Sequence, residues 1–189
     1  MNSYLYQYVV KQLDHNLLSE IEKITFNHTE YKQSKVENFD GNEFDPNSQD
    51  LTRKSKVCFI DDEQLYDLIW EQVDEVNLNS MWNFNIDYIE PLQNTLYNVG
   101  DYYDWHVDET NWTPKKRNDG RIRKISFTLC LDDRHEGGEL EFILNRKITV
   151  PLKKGEIVFF HSDIPHQVDK VTRGTRKSLV GWIQGPAFR

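Results

Sequence analysis

A mainly β sandwich or barrel with two helices packed outside it is the fold class this chain predicts, and three observations carry the prediction. From Trp82 onward the sequence falls into short alternating or apolar runs separated by turn residues, the pattern of an all-β architecture. Before that point, two stretches repeat apolar residues at helical spacing. The 189 residues suit one domain with its own core, since a chain of this length buries roughly 70% of its unfolded surface.

Taken in order, "YLYQYVV" reads as a first strand and "DHNLLSEIEKITF" as a helix. Asp14 is its N-cap, and Leu17, Leu18, Ile21 and Ile24 share one face. The polar, turn-rich segment from about Asn27 to Arg53 predicts a long, mobile surface loop beside the substrate. A second helix, "DDEQLYDLIWEQVDEVN", carries Leu65, Leu68, Ile69, Trp70 and Val73, with Asp61 or Asp62 at its start. Eight or so strands follow, from "FNIDYIE" through "YYDWHVD", "KISFTLCL", "GELEFIL" and "EIVFF" to "RKSLVGWIQ". The expected organisation is therefore a single domain over 1–189. In it, 1–82 gives helical support and the substrate loop, and 83–189 gives the β core.

Charge and composition narrow the function. Lys plus Arg is 23 and Asp plus Glu is 31, a formal charge of -8. No strongly basic stretch offers the footprint a nucleic acid needs. No segment approaches the ~20 apolar residues of a membrane span, and "MNSYLYQYVVKQ" lacks the basic start and apolar run of a signal peptide. Cys58 and Cys130 are isolated and read as reduced thiols of a cytoplasmic protein, in the host cytoplasm if the chain is viral. The expected partners therefore include neither nucleic acid nor membrane.

The chemistry begins in "YNVGDYYDWHVDET", where His106 and Asp108 stand two residues apart. On a strand, such residues point to the same face, so imidazole and carboxylate converge. A third ligand is expected on a strand packed across from them. His166 in "SDIPHQVDKV" qualifies, because the proline and turn residues before it place it at a strand start. Two histidines and one carboxylate form the facial triad that leaves open positions on Fe(II). Ten residues on, Arg176 opens the next strand. A guanidinium buried in the same barrel needs an anion, and its fork matches a carboxylate.

These segments, in the order "YNVGDYYDWHVD", "RKISFTLCLDDRHEGGELEF" and "VPLKKGEIVFFHSDIPHQVDKVTRGTRKSLVGWIQG", resemble the iron- and 2-oxoglutarate-dependent dioxygenases of the prolyl 4-hydroxylase branch, in its microbial or phage form. The resemblance implies a double-stranded β-helix, or jelly-roll, core flanked by N-terminal helices. It implies His106, Asp108 and His166 as iron ligands. Arg176 and the Tyr97 hydroxyl would hold the distal carboxylate of 2-oxoglutarate, with Thr128 lining the co-substrate pocket. Arg123, Trp182 and Tyr103 match positions near the peptide-binding mouth. The implied activity is hydroxylation of a prolyl residue in a peptide or protein, with O2 and 2-oxoglutarate as co-substrates, succinate and CO2 as products, and ascorbate as reductant. The family pattern also varies where this chain has Arg176, since many collagen-type members carry lysine there.

Other readings stay open at this level. The same chemistry acts on a small molecule, another side chain or a nucleobase, and a non-catalytic jelly roll binds a metal or carboxylate ligand without turnover. His161, five residues before His166, is the rival ligand, and His15, His28 and His135 read as structural or surface residues. Trp105 and Val107 alternate with the ligands and are expected to pack on the opposite sheet face. Tyr103 serves equally as a packing residue or a hydrogen-bond donor to substrate. "PKKRNDGR" reads as a solvated loop, and Gly137 and Gly138 as a tight turn.

Overall fold

The computed structural model describes residues 7–34, 52–109 and 120–188. Its elements run β1 (Tyr8–Gln12), α1 (His15–Asn27), β2 (Lys32–Gln33), β3 (Arg53–Lys54), β4 (Lys56–Ile60), α2 (Glu63–Asn79), β5 (Tyr88–Ile89), β6 (Leu92–Tyr97), β7 (Tyr102–His106) and β8 (Arg121–Asp132). They continue with β9 (Glu136–Gly137), β10 (Leu140–Ile143), β11 (Lys147–Val150), β12 (Glu156–His161), β13 (His166–Val168), β14 (Val171–Arg173) and β15 (Arg176–Pro186). Among these residues a large sheet is ordered β1-β12-β8-β15-β6-β4-β2, with β5 paired to β15. A smaller sheet runs β11-β10-β13-β7-β3. The two face each other as the jelly roll the sequence implied.

Alternation along the large sheet decides what meets the helices and what lines the interior. Ile125, Phe127 and Leu129 of β8, Ile157 and Phe159 of β12, and Leu179 and Ile183 of β15 join Ile21, Leu65, Ile69 and Val73 in one core between sheet and helices. The intervening residues face the small sheet. There Val158, Phe160 and Tyr97 pack with Leu140, Phe142 and Val168 in a second core. Ser126, Thr128 and Cys130 fall on this inner face and are buried, so the space between the sheets carries the polar groups. Both helices start as their caps predict. Asp14 accepts from the Asn16 and Leu17 backbone N–H groups. Asp62, not Asp61, accepts from Leu65 N at 2.8 Å.

The structure departs from the sequence reading in several places. Besides the expected first strand, β1, and the two helices, residues 1–82 supply three further strands: β2 and β4 extend the large sheet and β3 the small one. Within the span expected as a mobile loop, β2 pairs with β4, and Arg53 is buried. Residues 35–51 of that span lie outside the described residues, as do 110–119, which hold most of "PKKRNDGR". Eleven strands, β5 to β15, replace the eight or so expected after Trp82, because Asp169 and Lys170 split "HQVDKV" between β13 and β14 and the two-residue β9 precedes β10. Trp105 is 36% exposed. It lies on the opposite sheet face from the ligands, as expected, but is only partly covered there.

Candidate active site

β7 and β13 are antiparallel neighbours, and His106 stands directly opposite His166 in their register. Cross-strand partners bring their Cβ atoms within about 5.5 Å, so pairing alone converges the two imidazoles. Asp108 arrives differently from the sequence expectation, because β7 ends at His106 and Asp108 lies beyond the strand. It is held by the backbone N–H groups of Asp108 and Glu109, which both donate to the Ser162 carbonyl at 3.0 Å. Ser162 lies in the turn between β12 and β13. From the large sheet, Ser126 Oγ donates to Asp108 Oδ2 at 2.7 Å and meets Ser162 Oγ at 2.9 Å.

One ligand atom from each of His106, Asp108 and His166 lies within 4.8 Å of the others. The Nε2 atoms stand 3.7 and 3.6 Å from the Asp108 oxygens, too far for hydrogen bonds. Each Nδ1 faces a backbone carbonyl, Asp104 O at 2.8 Å and Ile164 O at 2.9 Å. A carbonyl only accepts, so both Nδ1 atoms carry the proton and both Nε2 lone pairs point inward. Burial, with the neighbouring His166, lowers the His106 pKa to about 3. For Asp108, burial pushes upward, but the two imidazoles, Arg123 and the Ser126 hydroxyl outweigh it and bring the pKa to about 2. The pocket thus presents two inward Nε2 atoms and a carboxylate.

Arg176 opens β15 opposite Tyr97 and is 5% exposed. Its guanidinium lies 5.4 Å from the Tyr97 ring centroid, and Nη1 donates to Ser178 Oγ at 2.9 Å. No carboxylate among the described residues forms an ion pair with it. Cys130, which lines a cavity of about 140 Å³ with it, is no counter-ion, since burial pushes that thiol up to about 11. Gly138 makes room for the arginine. At φ +73° a Cβ there would fall 2.8 Å from Val171 Cγ2 and 3.1 Å from Arg176 Cδ. Gly138→Ala is expected to cost about 1–2 kcal/mol from the left-handed backbone alone and to displace Arg176. Thermal unfolding should fall by several degrees, and affinity for a dicarboxylate should fall with it. An unchanged melting temperature would show that the turn relaxes freely.

The model of the 2OG-Fe(II) oxygenase superfamily matches residues 92–184, the span that carries Tyr97, the triad and Arg176. Residues 92–184 belong to the 2OG-Fe(II) oxygenase superfamily. A PKHD-type hydroxylase of Synechococcus sp. (strain CC9902) is 42% identical to this chain over 89 residues, which are 46% of this chain and 37% of that relative. The match thus spans well under half the length of the relative. In fold, the chain is similar to a Pseudomonas putida prolyl-4-hydroxylase, with TM-score 0.67 and 22% identity over 94% of this chain and 91% of that one. It is also similar to a prolyl hydroxylase from Trichoplax adhaerens in complex with a hypoxia inducible factor peptide fragment, with TM-score 0.68 and 16% identity over 94% and 83%.

The donor set of the triad fits the superfamily's metal. Two inward Nε2 atoms and one carboxylate, with no thiolate among them, suit non-haem Fe(II). Around the triad, Tyr103 stacks on His106, centroids 3.5 Å apart and 13° from parallel. Arg123 lies over the Trp182 ring at 4.2 Å and is held by Glu90 through two hydrogen bonds of 2.6 and 2.5 Å. Thr128 is buried on β8 one step along the inner face from Ser126. His161 is elsewhere, with its ring against Trp82 and Phe84 at 4.7 and 5.0 Å. Sequence reasoning missed Ser126, Ser162, Ser178 and Arg53. Ser126 and Ser178 had one available signal, polar residues at inward positions of otherwise apolar strands, whereas Ser162, in a turn, had none.

Proposed function

We propose that the chain is an Fe(II)- and 2-oxoglutarate-dependent dioxygenase that hydroxylates a prolyl residue of a peptide or protein. The carrying observation is Arg176, a buried guanidinium without a carboxylate partner among the described residues, in the same interior as a complete His106, Asp108, His166 triad. In this reading the triad holds iron, and Arg176 with the Tyr97 hydroxyl binds the distal carboxylate of 2-oxoglutarate. Thr128 lines that pocket, and Arg123, Trp182 and Tyr103 border the substrate. With O2, the loaded site couples oxidative decarboxylation of 2-oxoglutarate to succinate and CO2 with insertion of one oxygen atom into a substrate C–H bond.

The chain's own residues do the rest. The carbonyls of Asp104 and Ile164 fix the imidazole tautomers. Ser126 orients the Asp108 carboxylate. Phe160, edge-on to His166 at 4.8 Å, and the apolar core behind it exclude water. The reading further takes 1–189 as one domain, with 1–82 supporting an 83–189 core, in a cytoplasm where ascorbate serves as reductant. A prolyl peptide is favoured as substrate because one structural neighbour was solved with a bound peptide fragment. The test is mass spectrometry of proline-containing peptides incubated with enzyme, iron, 2-oxoglutarate and ascorbate. A gain of one oxygen on proline with equimolar succinate is expected. Succinate coupled to oxygen on another residue or on a small molecule would keep the chemistry and overturn the substrate. No succinate under any condition would overturn both.

A further inference from the structure

We propose that Arg53 is an anion subsite at the mouth of the metal pocket, receiving one carboxylate of the substrate close to the atom that is oxidised. This rests on the oxygenase reading above and names a chemical feature of its substrate. β3 is the edge of the small sheet, and Arg53 pairs with Tyr103 of β7. The guanidinium lies 4.6 Å from the Tyr103 ring centroid, and that ring stacks on His106. One aromatic ring therefore separates Arg53 from a metal-binding imidazole.

The side chain is held in place before any ligand arrives. Its Nε donates to Ser55 Oγ at 2.9 Å, and Ser55 is fully buried. Arg53 itself is only 8% exposed, yet no carboxylate among the described residues pairs with it. Its neighbours are neutralised: Lys54 by Asp101 at 3.2 Å and Arg123 by Glu90 at 2.5 Å. A cation this buried costs free energy that a counter-ion offsets. With Nε and the ring face engaged, and no carboxylate of the described residues on the two Nη groups, these groups suit a carboxylate held through paired hydrogen bonds. The net charge of -8 repels a strongly acidic ligand, so the geometry suits a single carboxylate. Aspartate beside the target or a free C-terminus both supply it.

The test uses the full chain with Fe(II) and 2-oxoglutarate. The probes are acetylated, amidated pentapeptides with central proline and Asp or Asn at each flanking position, together with N-acetylproline and its amide. Binding is measured by tryptophan fluorescence under argon, where no turnover occurs, and KM by succinate release in air. In the wild type, one acidic member is expected to bind about tenfold or more tighter than its neutral twin. Which member prefers the site identifies the source of the carboxylate. Arg53→Met should reduce that ratio to about one and leave affinities for Fe(II) and 2-oxoglutarate unchanged, and Arg53→Lys should restore part of it. Equal binding of all twins by the wild type would overturn the proposal. So would an Arg53→Met that weakens both twins equally or weakens 2-oxoglutarate, since that marks a packing role or a co-substrate contact. Charge discrimination under argon without any oxygen transfer to proline would sustain the subsite while refuting the prolyl reading.

Discussion

Asp108→Ala is expected to abolish Fe(II) binding and succinate production, as are His106→Ala and His166→Ala, while His161→Ala keeps both. Each ligand supplies one of three protein bonds, and its loss leaves a two-point site that nothing nearby completes. The surroundings grade the effect. Ser126→Ala removes the 2.7 Å hydrogen bond that orients the Asp108 carboxylate but no bond to the metal, so a loss of about 10–100-fold in metal affinity or rate is expected. His161→Ala removes a ring packed on Trp82 and Phe84 and should lower the melting temperature only. Anaerobic Fe(II) titration with circular dichroism separates lost ligation from lost fold. An active His166→Ala beside an inactive, folded His161→Ala would reverse the assignment.

What the sequence disclosed follows from which features are local. Period-two alternation and the two N-cap aspartates are written within a few residues, so the layers, both helices and the inner faces of β8 and β15 were legible. His166 and Arg176 were legible as strand-opening residues because proline and glycine punctuation precedes each. The Asp108 geometry was not. His106 and Asp108 converge not because they share one strand face but because two backbone N–H groups reach the Ser162 carbonyl, a contact between segments more than fifty residues apart. Arg53 was hidden for a related reason. It stands at the end of a polar stretch whose composition predicts exposure, and only pairing with Tyr103 across the sheet edge turns it inward. Long-range pairings of this kind have no signature in a single local window.

Arg176→Met is expected to raise the 2-oxoglutarate requirement by about a hundredfold or more while leaving Fe(II) binding nearly intact. Removing one partner of a buried charged pair costs about 3–5 kcal/mol, and each ~1.4 kcal/mol is a factor of ten. Tyr97→Phe loses only a neutral hydroxyl and should cost less, about 1–3 kcal/mol. The sign of the stability change is the sharper test. Without ligand, Arg176 is a buried cation whose hydrogen bond to Ser178 does not neutralise it, and burial disfavours its charged form. An apolar side chain of similar length is therefore neutral or stabilising in the unliganded protein. Adding 2-oxoglutarate at a hundred times its Kd should then stabilise the wild type by about 2.7 kcal/mol and the variant by almost nothing, so the two melting curves exchange order on titration. If Arg176→Met unfolds earlier without ligand and gains as much from 2-oxoglutarate as the wild type, the guanidinium belongs to the scaffold and the co-substrate binds elsewhere.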